Sequence, residues 1–234
     1  MVSEIRDAAR EITEIGAGST GHIRIGAVTG PALERVLPAL RTARLALPGL
    51  TAEVVVATSD ILGQQLVQGR LDFAIGRMPP GVEEQLSLSA PIDSEPVRFL
   101  VRRGHRLARS MTVTVEELMD FDWVMPGTEA ILTRSVLSRL AALGLPPPRQ
   151  RFATASFLLT LAMVQQSNAI APLARAVCDQ FGTGPDAPYA VLPLDLGIIV
   201  EPFGMLTRAG TILTPAAQRL ADMIAAGTSD AGLG

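Results

Sequence analysis

The amino-acid sequence predicts an α/β protein made of two lobes, each built from alternating strands and helices. Three observations support this fold class. Short apolar segments of strand character alternate with segments that repeat apolar residues every three or four positions. Turn residues separate these segments, and the pattern restarts near Glu95-Pro96. Strands that alternate with helices of this length indicate parallel sheets with right-handed crossovers.

The first lobe is predicted to contain three strands and two helices in alternation. Their predicted ranges are 22–28, 31–46, 51–58, 60–68 and 71–76. Pro31 suits the first turn of a helix, because the N–H that proline lacks would be unpaired there. Thr58 or Ser59 can cap the next helix, and Gly69 ends it.

The second lobe is predicted to repeat this pattern. Its strands are expected over 97–102, 122–126, 152–155 and 169–173, and its helices up to 119, over 131–143 and over 157–166. Thr114 and Glu117 have the spacing of a capping box, which opens the first of these helices. Two extended segments, 190–196 and 198–207, follow, and a closing helix over 215–226 begins after Thr214 as its cap.

The first residues of the chain carry apolar side chains on one predicted helix face. These are Ile5, Ala8, Ala9, Ile12 and Ile15. Glycines at positions 16, 18 and 21 separate this segment from the first strand. We interpret it as the end of a longer coil or hinge, with an ordinary helix docked on its own domain as the alternative.

Composition and charge exclude several classes of protein. The formal net charge is −3 and the sequence pI about 5.5, with no stripe of Lys and Arg, so this segment is not expected to bind DNA. No apolar run approaches the roughly 20 residues of a membrane span, and no secretory signal is recognisable, so we expect a cytoplasmic protein without a membrane partner. The single cysteine, Cys178, is predicted to be a buried thiol.

Side chains with catalytic or metal-binding potential are few. His22 and His105 fall in different predicted lobes, which disfavours a metal or acid/base role for either. The sequence contains no HExxH, no phosphate-binding GxxxxGKS/T, no GxSxG elbow and no GxGxxG fingerprint. We therefore expect no catalysis, no metal and no cofactor.

Ligand contacts are predicted where parallel strands end and helices begin. At such an edge, unpaired backbone N–H groups and the positive ends of helix dipoles favour polar and anionic groups. Four junctions have this character, namely Thr29-Gly30-Pro31, Thr58-Ser59, Gly127-Thr128 and Ser156-Phe157. The alternative for their hydroxyl groups is simple helix capping.

Three side chains add to this predicted site. Arg77 directly follows the strand 71–76 and could fork onto a carboxylate or phosphate, although a solvated surface arginine is the favoured interpretation. Phe157 and Phe203 could form apolar walls, with core packing as the alternative. One Trp and one Tyr offer few platforms for a sugar ring, so a small polar or carboxylated metabolite is favoured, with sugars left open.

Five stretches in order carry a resemblance to a known family. They are GHIRIGAVTGPALERVLPAL, ATSDILGQQLVQGRLDFAIGR, EPVRFLVRRGHRLA, DWVMP and ASFLLTLAMVQQSNAIAPLARAV. Together they resemble the effector-binding domain of LysR-type transcription regulators, over residues 21–226. Within that family, the chain is most similar to the subgroup that includes regulators of sugar-binding-protein operons.

The resemblance implies a fold like that of type II periplasmic binding proteins, with two Rossmann-like lobes, two crossover strands and a ligand in the cleft. Lobe I would comprise residues 21–95 and 204–227, and lobe II residues 96–203, with hinges near 95–98 and 201–204. Residues 1–20 would be the end of a linker helix with its linker, and residues 228–234 a disordered tail.

The resemblance also implies a small-molecule sensor that forms a homodimer or homotetramer. It would contact DNA only through an N-terminal winged helix-turn-helix, which is expected to be absent from this chain. Two other functions stay open. One is a solute-binding receptor of a transport system, and the other, less favoured, is an enzyme on the same fold.

Overall fold

In a computed structural model, the chain is described over residues 20–184 and 186–227, with only the backbone described at residues 20 and 151. The predicted helix at residues 3–15 and the predicted tail at 228–234 lie outside the described residues. Two compact units divide the chain. Unit 1 comprises the residues up to Ile92 and those from Phe203 onward, and unit 2 is Asp93–Pro202. The boundaries implied by the resemblance were after residues 95 and 203.

The strands and helices are numbered in chain order. The strands are β1 Thr20–Ala27, β2 Gly49–Val56, β3 Phe73–Gly76, β4 Leu86–Leu88, β5 Asp93–Arg102, β6 Asp122–Met125, β7 Arg149–Ala153, β8 Ala171–Ala174, β9 Tyr189–Val191 and β10 Ile199–Arg208. The helices are α1 Thr29–Pro31, α2 Leu37–Ala46, α3 Ser59–Val67, α4 Val115–Met119, α5 Ile131–Ala142, α6 Phe157–Gln166, α7 Arg175–Gly182 and α8 Pro215–Ala226. A π-helix, Ala32–Val36, joins α1 to α2, and a 3-10 helix spans Arg106–Arg109.

Unit 1 is a mixed sheet with helices on both faces. Strand β1 pairs in parallel with β2 and β3, and β10 pairs antiparallel with β3 and β4. One face packs against α2 and α8 in a core that includes Ile25, Ala39 and Leu220. The opposite face packs against α3 through Leu62. Gly26 permits this second contact, because a Cβ atom there would lie 2.8 Å from a methyl carbon of Leu62.

Unit 2 contains a second mixed sheet. Strand β5 pairs antiparallel with β8 and β9, while β6 pairs in parallel with β7 and is bridged to the start of β8 through Trp123 and Ile170. The Trp123 ring is fully buried and packs edge-on against Phe99, with 5.4 Å between ring centroids. Its indole Nε1–H donates to the carbonyl of Leu118 at 3.1 Å, so its one polar group is satisfied.

Several elements confirm the sequence-based expectations. Helices α6 and α8 span the predicted residues, and Thr214 accepts a hydrogen bond from the backbone N–H of Ala217 as the cap of α8. The capping box of Thr114 and Glu117 has both of its hydrogen bonds. Locally encoded signals of this kind depend on neighbours in the chain, which explains their success.

Three expectations need correction. The sheets are not purely parallel, because β4, β5 and β10 pair antiparallel. The predicted helix over 31–46 is interrupted by the π-helix, which ends two residues before Pro38, a residue that cannot donate to the carbonyl four residues earlier. The predicted extended segment 190–196 pairs only within β9, since Pro193 lacks the N–H that a strand ladder requires.

Candidate functional site

The carboxyl ends of β1, β2 and β3 lie at one edge of the unit 1 sheet. The backbone N–H of Ala57 donates to the carbonyl of Ala27 at 3.2 Å, and that of Val28 to the carbonyl of Ile75 at 3.0 Å. Since all three strands are parallel, the residues that follow them meet at this edge. The structure therefore brings together the predicted junctions at residues 29–31 and 58–59 and the predicted Arg77.

The hydroxyl group of Ser59 connects the junction at residues 58–59 to Arg77, the residue that follows β3. Ser59 is buried, and its Oγ accepts a hydrogen bond from the backbone N–H of Arg77 at 3.2 Å. Thr58 occupies the cap position of α3 but makes no side-chain capping bond. The expectation that one of these hydroxyls caps the helix is therefore wrong. Ser59 instead ties the start of α3 to the end of β3.

Arg77 is buried, contrary to the favoured interpretation of a solvated arginine. Its residue is 5% exposed, and the guanidinium carbon lies 6.0 Å from the centroid of the Phe203 ring. A guanidinium over an aromatic face gains a cation–π attraction that strengthens when water is excluded. Phe203 itself belongs to the unit 1 core, so it serves as the surface on which Arg77 rests.

The junction after β1 is compact. Helix α1 begins at Thr29 with Val28 at its cap position, and the N–H of Ala32 donates to the carbonyl of Val28 at 2.9 Å. Thr29 is half-buried and makes no capping bond, whereas Gly30 and Pro31 are buried. The π-helix follows at once, and such insertions are frequent near functional sites.

In unit 2, the carboxyl ends of β6 and β7 also meet at one edge. The strands are parallel, and the N–H of Thr154 donates to the carbonyl of Met125 at 3.1 Å. Gly127 and Thr128 are exposed in the loop after β6. Helix α5 begins only at Ile131, with Ala130 at its cap position, so the capping alternative for Thr128 is wrong.

Two side chains that the sequence-based reasoning missed hold this loop. The buried Thr133 hydroxyl donates to the carbonyl of Pro126 at 3.0 Å. The Gln150 side-chain amide donates to the carbonyls of Met125 at 3.1 Å and Pro126 at 3.2 Å. Neither residue stands at a strand end, so no local signal pointed to them.

At the last predicted junction, Ser156 caps a helix and Phe157 packs against another aromatic ring. Ser156 accepts from the N–H of Leu159 at 3.3 Å and so caps α6, as its alternative interpretation held. Phe157 packs against Phe181 with 5.3 Å between ring centroids, which favours the core alternative for this ring. Thr154, whose Oγ1 accepts from the N–H of Ser156 at 3.1 Å, was also missed.

Two buried titratable side chains, His105 and Cys178, lie outside these two edges. His105 is buried, its Nδ1 accepts from the N–H of Leu107 at 3.1 Å, and its Nε2 lies 3.2 Å from the carbonyl oxygen of Asn168. Burial lowers the pKa of His105, because desolvation disfavours the imidazolium ion. Burial likewise raises the pKa of the Cys178 thiol to about 12.

Within the described residues, no cluster of three or more His, Cys, Asp or Glu could hold a metal ion, and no helix is long and apolar enough to cross a membrane.

Comparison with known proteins identifies one matching family and several similar transcriptional regulators. A family described as the LysR substrate binding domain matches residues 16–229. The HTH-type transcriptional regulator GbpR of Azospirillum brasilense is 33% identical over 93% of this chain and 64% of its own length. GbpR of Rhizobium radiobacter is 38% identical over 81% of this chain and 63% of its own length. The chain thus spans a little under two thirds of these relatives.

Solved structures show the same fold at low sequence identity. The regulatory domain of CcmR from Synechocystis PCC6803, in complex with 2-PG, is 20% identical with a TM-score of 0.73, over 91% of this chain and 99% of that one. The effector binding domain of QuiR, in complex with shikimate, is 14% identical with a TM-score of 0.69, over 88% and 96% of the two chains. Two lobes of the type found in type II periplasmic binding proteins are therefore the shared architecture.

Proposed function

Because this chain belongs to the family of LysR substrate-binding domains, we propose that it senses a small polar or carboxylated metabolite through the strand ends described above. The observation that carries this proposal is the buried Arg77, whose backbone N–H donates to Ser59 in the first turn of α3 and whose guanidinium lies over the Phe203 ring. The guanidinium and the amino end of α3 both favour an anionic group, the first by charge and the second by the positive end of the helix dipole.

The two edges offer different chemistry. In unit 1, Arg77, Ser59 and the first residues of α3 suit a carboxylate or phosphate. In unit 2, Thr128 and the backbone at Gly127 are exposed and suit hydroxyl or carbonyl groups. The carboxylate of a hydroxylated acid, including a sugar acid, suits the unit 1 edge. We accordingly propose Thr29, Thr58, Ser59, Arg77, Gly127, Thr128 and Ser156 as the residues to test for contact with the effector.

The relatives are named as HTH-type regulators, and this chain covers only part of their length. We propose that the effector acts on DNA binding by a helix-turn-helix region of the whole protein in the cytoplasm. For this to work, the effector must bind one conformational state more tightly than another, since equal affinity for both states shifts no population.

A homo-oligomer is part of the same proposal. Strand β2 lies at the edge of its sheet in the described chain, and its Val54 and Val56 are exposed. Leu45, near the end of α2, is 85% exposed. Apolar side chains on and beside an open strand edge are typical of surfaces that another chain covers. Light scattering of the purified chain and of Leu45→Lys tests this, and a monomer at all concentrations would contradict it.

The function itself is tested by a thermal-shift screen against sugar acids, neutral sugars, aromatic acids and amino acids. An effector at 100 times its dissociation constant should add about 2.7 kcal/mol of stability. Arg77→Met should abolish the shift for the anionic hit, while the exposed Arg70→Met serves as the matched control. A hit that Arg77→Met still binds with equal affinity would refute the assignment, and a chemically altered hit would favour the enzyme alternative.

A further inference from the structure

Unit 2 contains a cavity of about 420 Å³ whose lining includes none of its proposed effector residues. Its lining includes Asp122 and Arg149, which are the first residues of β6 and β7, and Ala169, which precedes β8. All three strands run in the same direction, so the cavity lies at their amino ends. Gly127 and Thr128 follow the carboxyl end of β6, at the opposite edge of the same sheet.

The floor of this cavity is apolar. Trp123, Val124 and Ala169 are buried residues that line it, and Phe121 and Met163 are half-buried beside them. The rim also carries the ring of Phe152, which is 64% exposed, unusual for a phenylalanine side chain. A cavity of this volume with an apolar floor and a few polar groups has the character of small-molecule sites, which range over about 300–1,000 Å³.

The rest of the rim is polar and carries both signs of charge. It comprises Asp120, Asp122, Arg149, Gln166, Ser167 and Asn168. A carboxylate oxygen of Asp120 lies 3.6 Å from a guanidinium nitrogen of Arg106, and the Arg149 guanidinium donates to the backbone carbonyl of Asp120. The Asn168 side-chain oxygen accepts from Arg102 at 2.8 Å. With Arg102 and Arg106 included, three guanidinium groups and two carboxylates lie at or beside the rim, so it carries both signs of charge.

We propose that this cavity is a second binding site, for a neutral hydroxyl-rich molecule of the monosaccharide or polyol class. A hydroxyl group donates to a carboxylate and accepts from a guanidinium or amide at the same time, so it can join the rim without separating its charges. A ligand with a single charge would pair with one of these groups but be repelled by the groups of like charge beside it. The C–H face of a sugar ring would pack on Phe152 and the apolar floor.

The chain provides its own reporter for this site. Trp123 is the only tryptophan in the sequence and lines the cavity, so its emission should respond to a bound molecule. The experiment titrates the whole chain with D-galactose, D-glucose and myo-inositol, and with D-gluconate and D-glucosamine as charged counterparts. We expect a saturable change with the neutral probes, with dissociation constants on the order of 1 mM, and weaker binding of both charged probes.

Variants separate this site from the effector residues. Phe152→Ala and Gln166→Ala remove exposed side chains and should each weaken the response about tenfold, which corresponds to about 1.4 kcal/mol. The neighbouring exposed Gln165→Ala is the matched control, and Thr128→Ala should leave the response unchanged. The proposal is overturned if no neutral probe changes the Trp123 emission. It is equally overturned if the charged probes bind best, or if Thr128→Ala removes a response that Phe152→Ala leaves intact.

Discussion

The loop that presents Gly127 and Thr128 depends on two donors that share one acceptor. The carbonyl of Pro126 accepts from the hydroxyl of Thr133 at 3.0 Å and from the Gln150 amide at 3.2 Å. Thr133→Val keeps the shape of the buried side chain but removes the hydroxyl. Because Gln150 still satisfies the carbonyl, the loss should lie at the low end of a hydrogen bond, about 0.5 kcal/mol. For a chain of this size, that lowers Tm by about 1–2 °C.

Gln150→Leu alone should also cost little. The Met125 carbonyl keeps the N–H of Thr154 as a donor, and the Pro126 carbonyl keeps Thr133. In the double variant, however, the Pro126 carbonyl loses both donors. An unsatisfied buried acceptor costs about 1–3 kcal/mol. Because Pro126 is half-buried, the low end applies, and the double variant should be less stable than the sum of the single effects by about 1 kcal/mol.

Differential scanning calorimetry of the wild type, both single variants and the double variant measures this coupling. Thr160→Val is the matched control, because that buried hydroxyl donates to the carbonyl of Ser156, which also accepts the backbone N–H of Thr160. The control should change Tm less than Thr133→Val does. Additivity of the two single effects within about 0.3–0.5 kcal/mol would refute the shared-acceptor argument.

Three further outcomes are expected. Gly26→Ala should cost about 1–3 kcal/mol by overpacking, since its Cβ would meet Leu62 and Leu71 at 2.8 Å. Urea unfolding would show this, and unchanged stability would mean that the strand–helix contact is looser than described. The lowered pKa of His105 means that the fold favours the neutral ring. Its stabilisation should be complete above the unfolded value of about 6.5 and decline as pH falls below it, and His105→Gln should flatten that slope. The Cys178 thiol, with its pKa raised to about 12, should resist thiol reagents in the native protein and react in denaturant, whereas rapid native labelling would contradict its burial.

Sequence reasoning recovered much of the local structure. The capping box at Thr114, the cap at Thr214 and the residues of α6 are encoded by neighbours in the chain, so pattern and composition were sufficient. The reasoning also identified the strand ends that meet at each sheet edge, because parallel strands place their carboxyl ends together.

The side-chain roles at those edges were harder to predict. Ser59 was expected to cap α3, yet its hydroxyl accepts from Arg77, eighteen residues later in the chain. Helix capping was the alternative interpretation for Thr128, yet α5 begins only at Ile131. Helix-cap preferences describe average local behaviour, and a competing partner from another strand overrides them.

The sequence by itself determined most of the helices and strands, though not β4 or the π-helix. It also determined the fold class and which strand ends share an edge, because these properties follow from periodicity and from caps within a few residues. Only the tertiary structure decided that Arg77 is buried over Phe203, that Thr133 and Gln150 share the Pro126 carbonyl, and that the amino ends of β6, β7 and β8 enclose a cavity. Those features arise from contacts between residues distant in the chain, whose distances no local pattern specifies.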